Sequence, residues 1–454
     1  MEELINDRKE RYILIAVSRG DQEAAEASLD ELERLLDTAG GEVAVFAASV
    51  DPNPAEDLPI DPEDVDDLPD EYFDEVGGKD ALMSGRVIQN IPVPGRATYI
   101  GKGKLEELKK LIEYTRADGI LCDDELTPVQ LKNLSEETGV KVLDRTMLIL
   151  DIFAAHATTR EGKVQVEIAQ LKYRMSRLAG SGTALSRLGG GIGTRGPGEK
   201  KIENDRRVIR RRVKILSDEI EEMKRARATT RKKRMANAVP TVALVGYTNA
   251  GKSTLLNLLT DSDVLSEDKL FATLDPTTRI AVLPDGQEVL FTDTVGFISR
   301  LPHDLVDAFR STLEEAKYAD ILVHVADASD PMADEQARIV YETLEALGIV
   351  GKPVMTVWNK TDLIEAESIL RDFSADASVM ISAKNGTGMD SFYNELGRLL
   401  RESRVRIEAV IPYAQAAKIA VIRKAGQLLR EEYEADGVHI EAYVPKAIAD
   451  ALEE

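Results

Sequence analysis

A single cysteine, Cys122, rules out a disulfide within the chain. It ends the apolar stretch Gly119-Ile120-Leu121-Cys122 and reads as a core residue rather than a reactive thiol. The four histidines, His156, His303, His324 and His439, share no metal-ligand spacing, which argues against a zinc site. No apolar run reaches the roughly 18 residues that a membrane helix needs, so no span is expected. The first ten residues carry no apolar signal region. These absences point to a reducing cytoplasm as the expected location. Peripheral association with a membrane surface stays open.

Basic charge is also scarce. Lys and Arg number 58 against 81 Asp and Glu, a net −23, which taken alone argues against nucleic-acid binding. The charge is uneven, however. Residues 200–234 hold 15 Lys/Arg and 6 Asp/Glu, a local +9 that leaves −32 for the remainder. Residues 51–75 hold 12 acids and no base. An acidic body that keeps one basic segment suggests an anionic partner met at one place, in a protein adapted to high salt. General acidity of a soluble protein is the plainer alternative. With 454 residues, 43% of them apolar, about three domains and a large core are expected.

What is present centres on Gly246-Tyr247-Thr248-Asn249-Ala250-Gly251-Lys252-Ser253. This G-x-x-x-x-G-K-S follows the apolar strand Val242–Val245 and precedes a helix start at Thr254–Leu259. Glycines there let successive N–H groups turn toward an anion, and the helix adds its positive end. Lys252 would reach the β and γ phosphates, and the Ser253 hydroxyl would ligate Mg²⁺. About 20 residues further on comes Phe271-Ala272-Thr273-Leu274-Asp275. A threonine on this loop can close on Mg²⁺ and the γ-phosphate, and Thr273 is the choice over Thr277 and Thr278. Asp293-Thr294-Val295-Gly296 follows another strand. Asp293 would hold the Mg²⁺ shell, and the Gly296 N–H would touch the γ-phosphate. In Asn359-Lys360-Thr361-Asp362, the Asp362 carboxylate can accept from both guanine N1–H and N2–H₂, which adenine does not offer. Asn359 would brace the neighbouring loops, and the Lys360 stem would cover the ring. The backbone of Ser382-Ala383-Lys384 would meet guanine O6. The ligand is therefore expected to be GTP with Mg²⁺. Lys252, Thr273 and Gly296 are the expected catalytic positions, and Ser253 and Thr273 the metal ligands.

Elsewhere, strand and helix alternate: a strand at 12–18, a helix at 22–39, a strand at 43–48, a helix to about 116, a strand at 119–122, a helix at 128–138 and a strand at 140–143. The Pro-rich acidic stretch 51–70 reads as an insertion or loop. Gly101-Lys102-Gly103-Lys104 reads either as a phosphate turn or as a plain strand-to-helix turn. Val164, Ile168, Leu171, Met175 and Leu178 step by 4, 3, 4, 3, as do Ile209, Val213, Leu216, Ile220 and Met223. This is the seam of two helices packing lengthwise. Between them, residues 180–198 carry eight glycines and are not expected to be helical. Arg187, Arg195, Lys200 and Lys201 at this tip could contact phosphate. Arg206, Arg207, Arg210, Arg211 and Arg212 could contact RNA or form a solvated face. At the C-terminal end, 405–410 and 438–444 alternate like strands, and 414–435 reads as a helix. The expected fold class is α/β. A smaller α/β domain (1–155, with the acidic insertion 51–75) and a helical hairpin (156–238) precede a doubly wound, mainly parallel P-loop GTPase domain (239–402). An α/β appendage (403–454) follows.

The order of these motifs resembles that of translation-factor-class GTPases. The phrases Gly189-Gly190-Gly191-Ile192-Gly193-Thr194-Arg195-Gly196-Pro197-Gly198-Glu199, Gly246–Ser253 and Asp293–Phe297 resemble the HflX GTPases. The resemblance covers about residues 10–402 and implies binding to the large (50S) ribosomal subunit and its rRNA. The family is similar to ribosome-splitting or rescue factors. A monomer is expected. Phe297 stands where small GTPases carry a water-positioning Gln, so hydrolysis should depend on a group from a partner. Asn249 stands where potassium-activated GTPases hold K⁺ beside the phosphates. Two other readings compete: an ATP-driven RNA remodeller with a nucleotide site at 101–104, and a scaffold that binds guanine nucleotide without turnover.

Overall fold

The computed structural model describes residues 8–45, 84–185, 197–235, 239–260, 270–271, 274–300, 313, 315–364, 370, 372–402, 404–445 and 448–450. The acidic stretch 51–75, the tip 186–196 and the pair Ala272 and Thr273 lie outside them. Contacts divide the chain into two compact units. One is Met1–Ala155 with Val166–Ile215, and the other is His156–Gln165 with Leu216–Glu454.

The first unit is built on strand β1 (Arg11–Ser18), whose eight residues are all buried. Such a continuous apolar strand belongs at the centre of a parallel sheet covered on both faces. Strands β2 (Glu42–Val43) and β3 (Arg86–Asn90) share one edge of β1, pairing with its first and second halves. Strands β4 (Gly119–Cys122) and β5 (Lys141–Asp144) extend the other edge, and every pairing is parallel. Helices α1 (Gln22–Thr38), α2 (Lys102–Thr115), α3 (Pro128–Thr138) and α4 (Arg145–His156) connect and follow these strands. Asp21 caps α1 by accepting from the Ala24 N–H, and Thr127 and Gln130 form a reciprocal capping box on α3. Cys122 is fully buried, as its apolar setting implies. Strand β3 and helix α4 went unread in the sequence. In β3 only Val87 is buried, and α4 is apolar on too many sides to show a helical period.

The turn at 101–104 is a plain one. The Gly101 N–H donates to Gln89 Oε1 (2.7 Å), and Lys104 pairs with Glu107 (2.5 Å). Two charged groups at the carboxyl end of β5 tie the unit together. The buried Arg145 guanidinium donates to Glu31 (2.6 Å), Asp123 (2.9 Å) and the Ser28 carbonyl (3.1 Å). The fully buried Asp144 accepts from the Leu126 and Met147 N–H groups, from the Tyr173 hydroxyl and from Arg177.

Tyr173 and Arg177 belong to α5 (Arg160–Leu185), the first arm of a helical pair whose second arm is α6 (Pro197–Met235). The two seams fall on the covered faces. Val164 and Leu216 are buried, and the other seam residues are partly so, while Val208 and Ile215 beside the α6 seam are exposed. The ion pair Arg212–Glu167 crosses the arms in the first unit, and Arg160–Glu219 and Arg227–Glu161 cross them in the second. The expectation that 180–198 is wholly non-helical is corrected. Gly180 and Gly182 lie inside α5 and Gly198 inside α6. Extending an existing helix is far less costly than nucleating one, and Pro197 suits the first helical position.

In the second unit, six strands run in the order β11-β10-β9-β6-β8-β7. They are β6 (Thr241–Gly246), β7 (Thr277–Val282), β8 (Glu288–Asp293), β9 (Ile321–Asp327), β10 (Val354–Asn359) and β11 (Ala377–Met380). Only the β7–β8 pairing is antiparallel. Helices α7 (Lys252–Thr260), α8 (Ala333–Ala346) and α9 (Met389–Glu402) belong to this layer, and residues of α7 and α9 enter its core. The C-terminal segment is β12 (Val405–Ile411), α10 (Ala417–Ala425), β13 (Gln427–Glu434) and β14 (Gly437–Val444), an antiparallel sheet ordered β12-β14-β13. The single helix expected over 414–435 is therefore corrected. Gly426 ends the helix, where a Cβ would stand 2.8 Å from the Ile422 and Tyr443 carbonyl oxygens. Residues 427–434 are rich in helix formers, yet pairing with β14 overrides that propensity.

Replacing Arg145 by Leu removes the buried cation that Glu31 and Asp123 share. Arg145→Leu is expected to cost about 3–5 kcal/mol, the penalty for removing one partner of a buried ion pair. A lower urea midpoint for the first unfolding transition of the full chain checks this.

Candidate functional site

Strand β6 ends at Gly246 with φ 151°, and a Cβ there would lie 2.2 Å from the Val325 carbonyl oxygen on β9. The chain then turns through Asn249 (φ 61°) and Gly251 (φ 94°) into α7. A Cβ on Gly251 would lie 2.2 Å from Asn359 Nδ2. Only glycine tolerates both the left-handed backbone and this approach. The turn is laced to the segment after β8. The Phe297 N–H donates to the Gly246 carbonyl (3.0 Å), and the Thr248 N–H donates to the Phe297 carbonyl (2.8 Å). Gly296 is pressed against the same turn, its missing Cβ 2.8 Å from Thr248 Cα and 3.0 Å from Lys252 Nζ.

Lys252 is buried and folds back on its own loop, donating to the carbonyls of Gly246 (3.2 Å) and Tyr247 (2.7 Å). Burial lowers its pKa to about 8, and the Asp293 charge offsets part of that. The Ser253 hydroxyl donates to Asp293 Oδ2 at 2.7 Å. A hydroxyl and a carboxylate this close form the hard-oxygen pair that suits Mg²⁺, which takes few protein ligands and fills its shell with water and phosphate oxygens.

The second half of the site is assembled by Asn359 at the end of β10. Its Nδ2 donates to the Ala250 carbonyl (2.9 Å), and its Oδ1 accepts from the Ala383 N–H (2.9 Å). One side chain thus joins the glycine turn to the loop after β11. Lys360 follows with φ 62°, and its ammonium pairs with Asp327 at the end of β9 (2.7 Å). The Thr361 N–H donates to the Ile381 carbonyl (3.2 Å). Asp362 is exposed and accepts from the Ser382 hydroxyl (2.6 Å). That bond is the main cause of its lowered pKa, so the carboxylate is charged at neutral pH.

Most of the described residues expected from the sequence fall into three groups, while Ala272 and Thr273 lie outside the described residues. Gly246, Ala250, Gly251, Lys252, Ser253, Asp293, Gly296, Asn359, Lys360, Asp362, Ser382 and Ala383 meet at the carboxyl ends of β6, β8, β10 and β11, the edge where open α/β sheets bind ligands. Phe271, Leu274, Thr294 and Val295 are buried, and the Thr294 hydroxyl donates to the Leu244 carbonyl (2.7 Å), so these side chains support the loops from within. Asp275 is the exception. Its carboxylate accepts from Thr158 and Thr159, at the start of α5. The sequence reading also missed Asp327. Its place at the end of a buried strand was the available signal.

Three family models match in succession. They are a GTP-binding GTPase N-terminal region over residues 77–154, a GTP-binding GTPase middle region over 156–234 and a 50S ribosome-binding GTPase over 241–360. The GTPase HflX of Lacrimispora saccharolytica is 53% identical over 454 residues, covering 100% of this chain and 98% of that protein. The chain belongs to the HflX GTPase family. The HflX of Caldanaerobacter subterraneus is 45% identical over 100% of this chain and 95% of the relative. The Escherichia coli HflX is 44% identical over 66% and 71%. Among solved structures, a GTP-binding protein of Sulfolobus solfataricus in complex with GDP matches 87% of this chain and 99% of its own at 23% identity, with a TM-score of 0.41.

The depressed Lys252 pKa makes ligand binding pH-dependent. Below about 8 the lysine is already charged. Above it, a bound triphosphate favours the charged form, so binding takes up a proton and affinity falls by up to about tenfold per pH unit. Calorimetry in buffers of differing ionisation enthalpy should show proton uptake that is near zero at about pH 7 and rises above about pH 8.

Proposed function

We propose that this HflX-family protein binds and hydrolyses GTP, with Mg²⁺ held by Ser253 and Thr273 and its water shell by Asp293, and acts on the large ribosomal subunit. The observation that carries the guanine reading is the Asn359 bridge, which sets the exposed Asp362 carboxylate in the loop pair that flanks the glycine turn. In that frame Asp362 accepts the two guanine donors, Lys360 covers the ring, and the Ala383 and Lys384 backbone meets O6. Lys252 exchanges its two carbonyl partners for phosphate oxygens. Mg²⁺, when bound, neutralises charge developing on the β and γ phosphates. Thr273 is the second metal ligand in this reading, and the Gly296 N–H meets the γ-phosphate.

Phe297 is almost fully buried, with its backbone paired to Gly246 and Thr248. It offers no group to orient water. Hydrolysis therefore depends on a group from outside the chain, and the ribosomal partner supplies it. Asn249 takes a left-handed backbone, and in this reading it binds K⁺ beside the phosphates. The basic face of α6 meets rRNA, where Arg207 and Arg211 are exposed. In this assignment the segments 1–155, 156–238, 239–402 and 403–454 act as docking domain, arm, motor and appendage, in a monomer of the cytoplasm that splits or rescues ribosomes. No described helix is long and apolar enough to cross a membrane.

Two measurements test this. Asp362→Asn should weaken GTP at least about 100-fold, roughly 3 kcal/mol for two charge-assisted hydrogen bonds, and should favour xanthosine triphosphate, whose C2 oxygen accepts from the new amide. Multiple-turnover GTP hydrolysis should rise with purified large subunits and run faster in KCl than in NaCl. Equal turnover with and without subunits would sink the ribosomal assignment, and equal rates in both salts would sink the K⁺ site.

A further inference from the structure

The Asp275 carboxylate sits just ahead of β7, in the loop that opens with Phe271, yet its bonds run to the base of the helical arm. Thr159 caps α5. Its hydroxyl accepts from the Gly162 N–H (3.0 Å), and its carbonyl accepts from the Lys163 N–H (3.0 Å). Asp275 Oδ2 accepts from the Thr158 N–H (2.9 Å), the Thr158 hydroxyl (2.7 Å) and the Thr159 N–H (2.8 Å). Oδ1 accepts from the Thr159 hydroxyl (2.5 Å). A negative charge over the first turn of a helix also complements the helix dipole.

Gly162 makes the approach possible, since a Cβ there would lie 2.5 Å from Asp275 Oδ1. The same first turn is pinned to α6. Arg160 pairs with Glu219 and Arg227 with Glu161, each at 2.6 Å. A displacement of Asp275 therefore acts on the base of both arms. Thr158 and Thr159 are exposed, so water can replace each lost bond at little cost, as a reversible joint requires.

We propose that Asp275, Thr158, Thr159 and Gly162 form a joint through which nucleotide state in the site is transmitted to the base of the α5–α6 arm. The proposal rests on the GTPase reading above, in which the loop carrying Asp275 responds to the γ-phosphate. Coupling of this kind is reciprocal in binding free energy, so a change at the arm's base must alter the relative affinity for the two nucleotide states.

The test is amide hydrogen exchange at 156–165 in the full chain, with GDP and with a non-hydrolysable GTP analogue. Protection of this segment is expected to differ at least about fivefold between the two states, the lower end of typical coupling. The difference should vanish in Asp275→Ala, which removes all four bonds, and shrink in the double variant Thr158→Val with Thr159→Val, which removes the two hydroxyl donors and keeps the two backbone ones. Gly162→Ala, which pushes the carboxylate away from the other side, should act likewise. The double threonine variant alters no nucleotide-contacting residue, so it should still bind both nucleotides, with the ratio of its GDP and GTP-analogue affinities shifted while the subunit-stimulated kcat falls. Equal protection in both states, or a difference undiminished in the variants, would overturn the joint while leaving the GTPase reading intact. Failure of the wild-type protein to bind either nucleotide would instead overturn the GTPase reading, and the joint with it.

Discussion

One buried amide holds the candidate site in register. Asn359 has both ends of its side chain engaged, one on the glycine turn and one on the loop after β11, and these three pieces come from distant parts of the chain. Its role explains the demand for glycine at 251, where a side chain would displace the amide nitrogen. A satisfied buried amide is valuable here because an unsatisfied one costs roughly 1–3 kcal/mol. Alternative packings of the two loops are thereby penalised. The loop that carries Asp362 and the glycine turn are then placed by one geometric condition.

Around that frame, charge is placed to be used on binding. Lys252 and Asp293 are buried near each other, and their hydrogen bonds run to groups of the site itself. Two carbonyl oxygens accept from the Lys252 ammonium, so its buried charge is hydrogen-bonded within the loop itself. The same economy appears at Asp144 and Arg145 in the other unit, where buried charge ties the sheet edge to α5 through Tyr173 and Arg177. In both places a polar network takes the position an apolar core would otherwise fill, which makes those elements specific rather than merely cohesive.

Legibility in the sequence varied with the range of the interactions concerned. The glycine turn, Asp293–Gly296, Asn359–Asp362 and Ser382–Lys384 could be read because each is a short phrase whose backbone geometry and chemistry are local. The long seams of α5 and α6 were readable for the same reason: a helical period is a local pattern. Residues 427–434 were misread because their composition favours a helix and only the β14 partner makes them a strand. Strand β3 was missed because one buried valine in five residues gives no alternation. Asp275 was grouped with the nucleotide residues because it closes a motif, and nothing in that motif names Thr158 or Thr159.

The chain's own order of residues named the candidates: a carboxylate proposed to read guanine, a lysine proposed to meet phosphate, and two long helical seams, which the structure shows as α5 and α6. Folding decided where the leftover groups went. Asp275 meets threonines 117 and 116 positions away, Asn359 meets a carbonyl 109 away, and Asp327 meets Lys360 across two neighbouring strands. Such pairings depend on strand order and crossover geometry, which no local pattern encodes. A hydrogen bond is made only where three-dimensional packing brings donor and acceptor within about 3 Å.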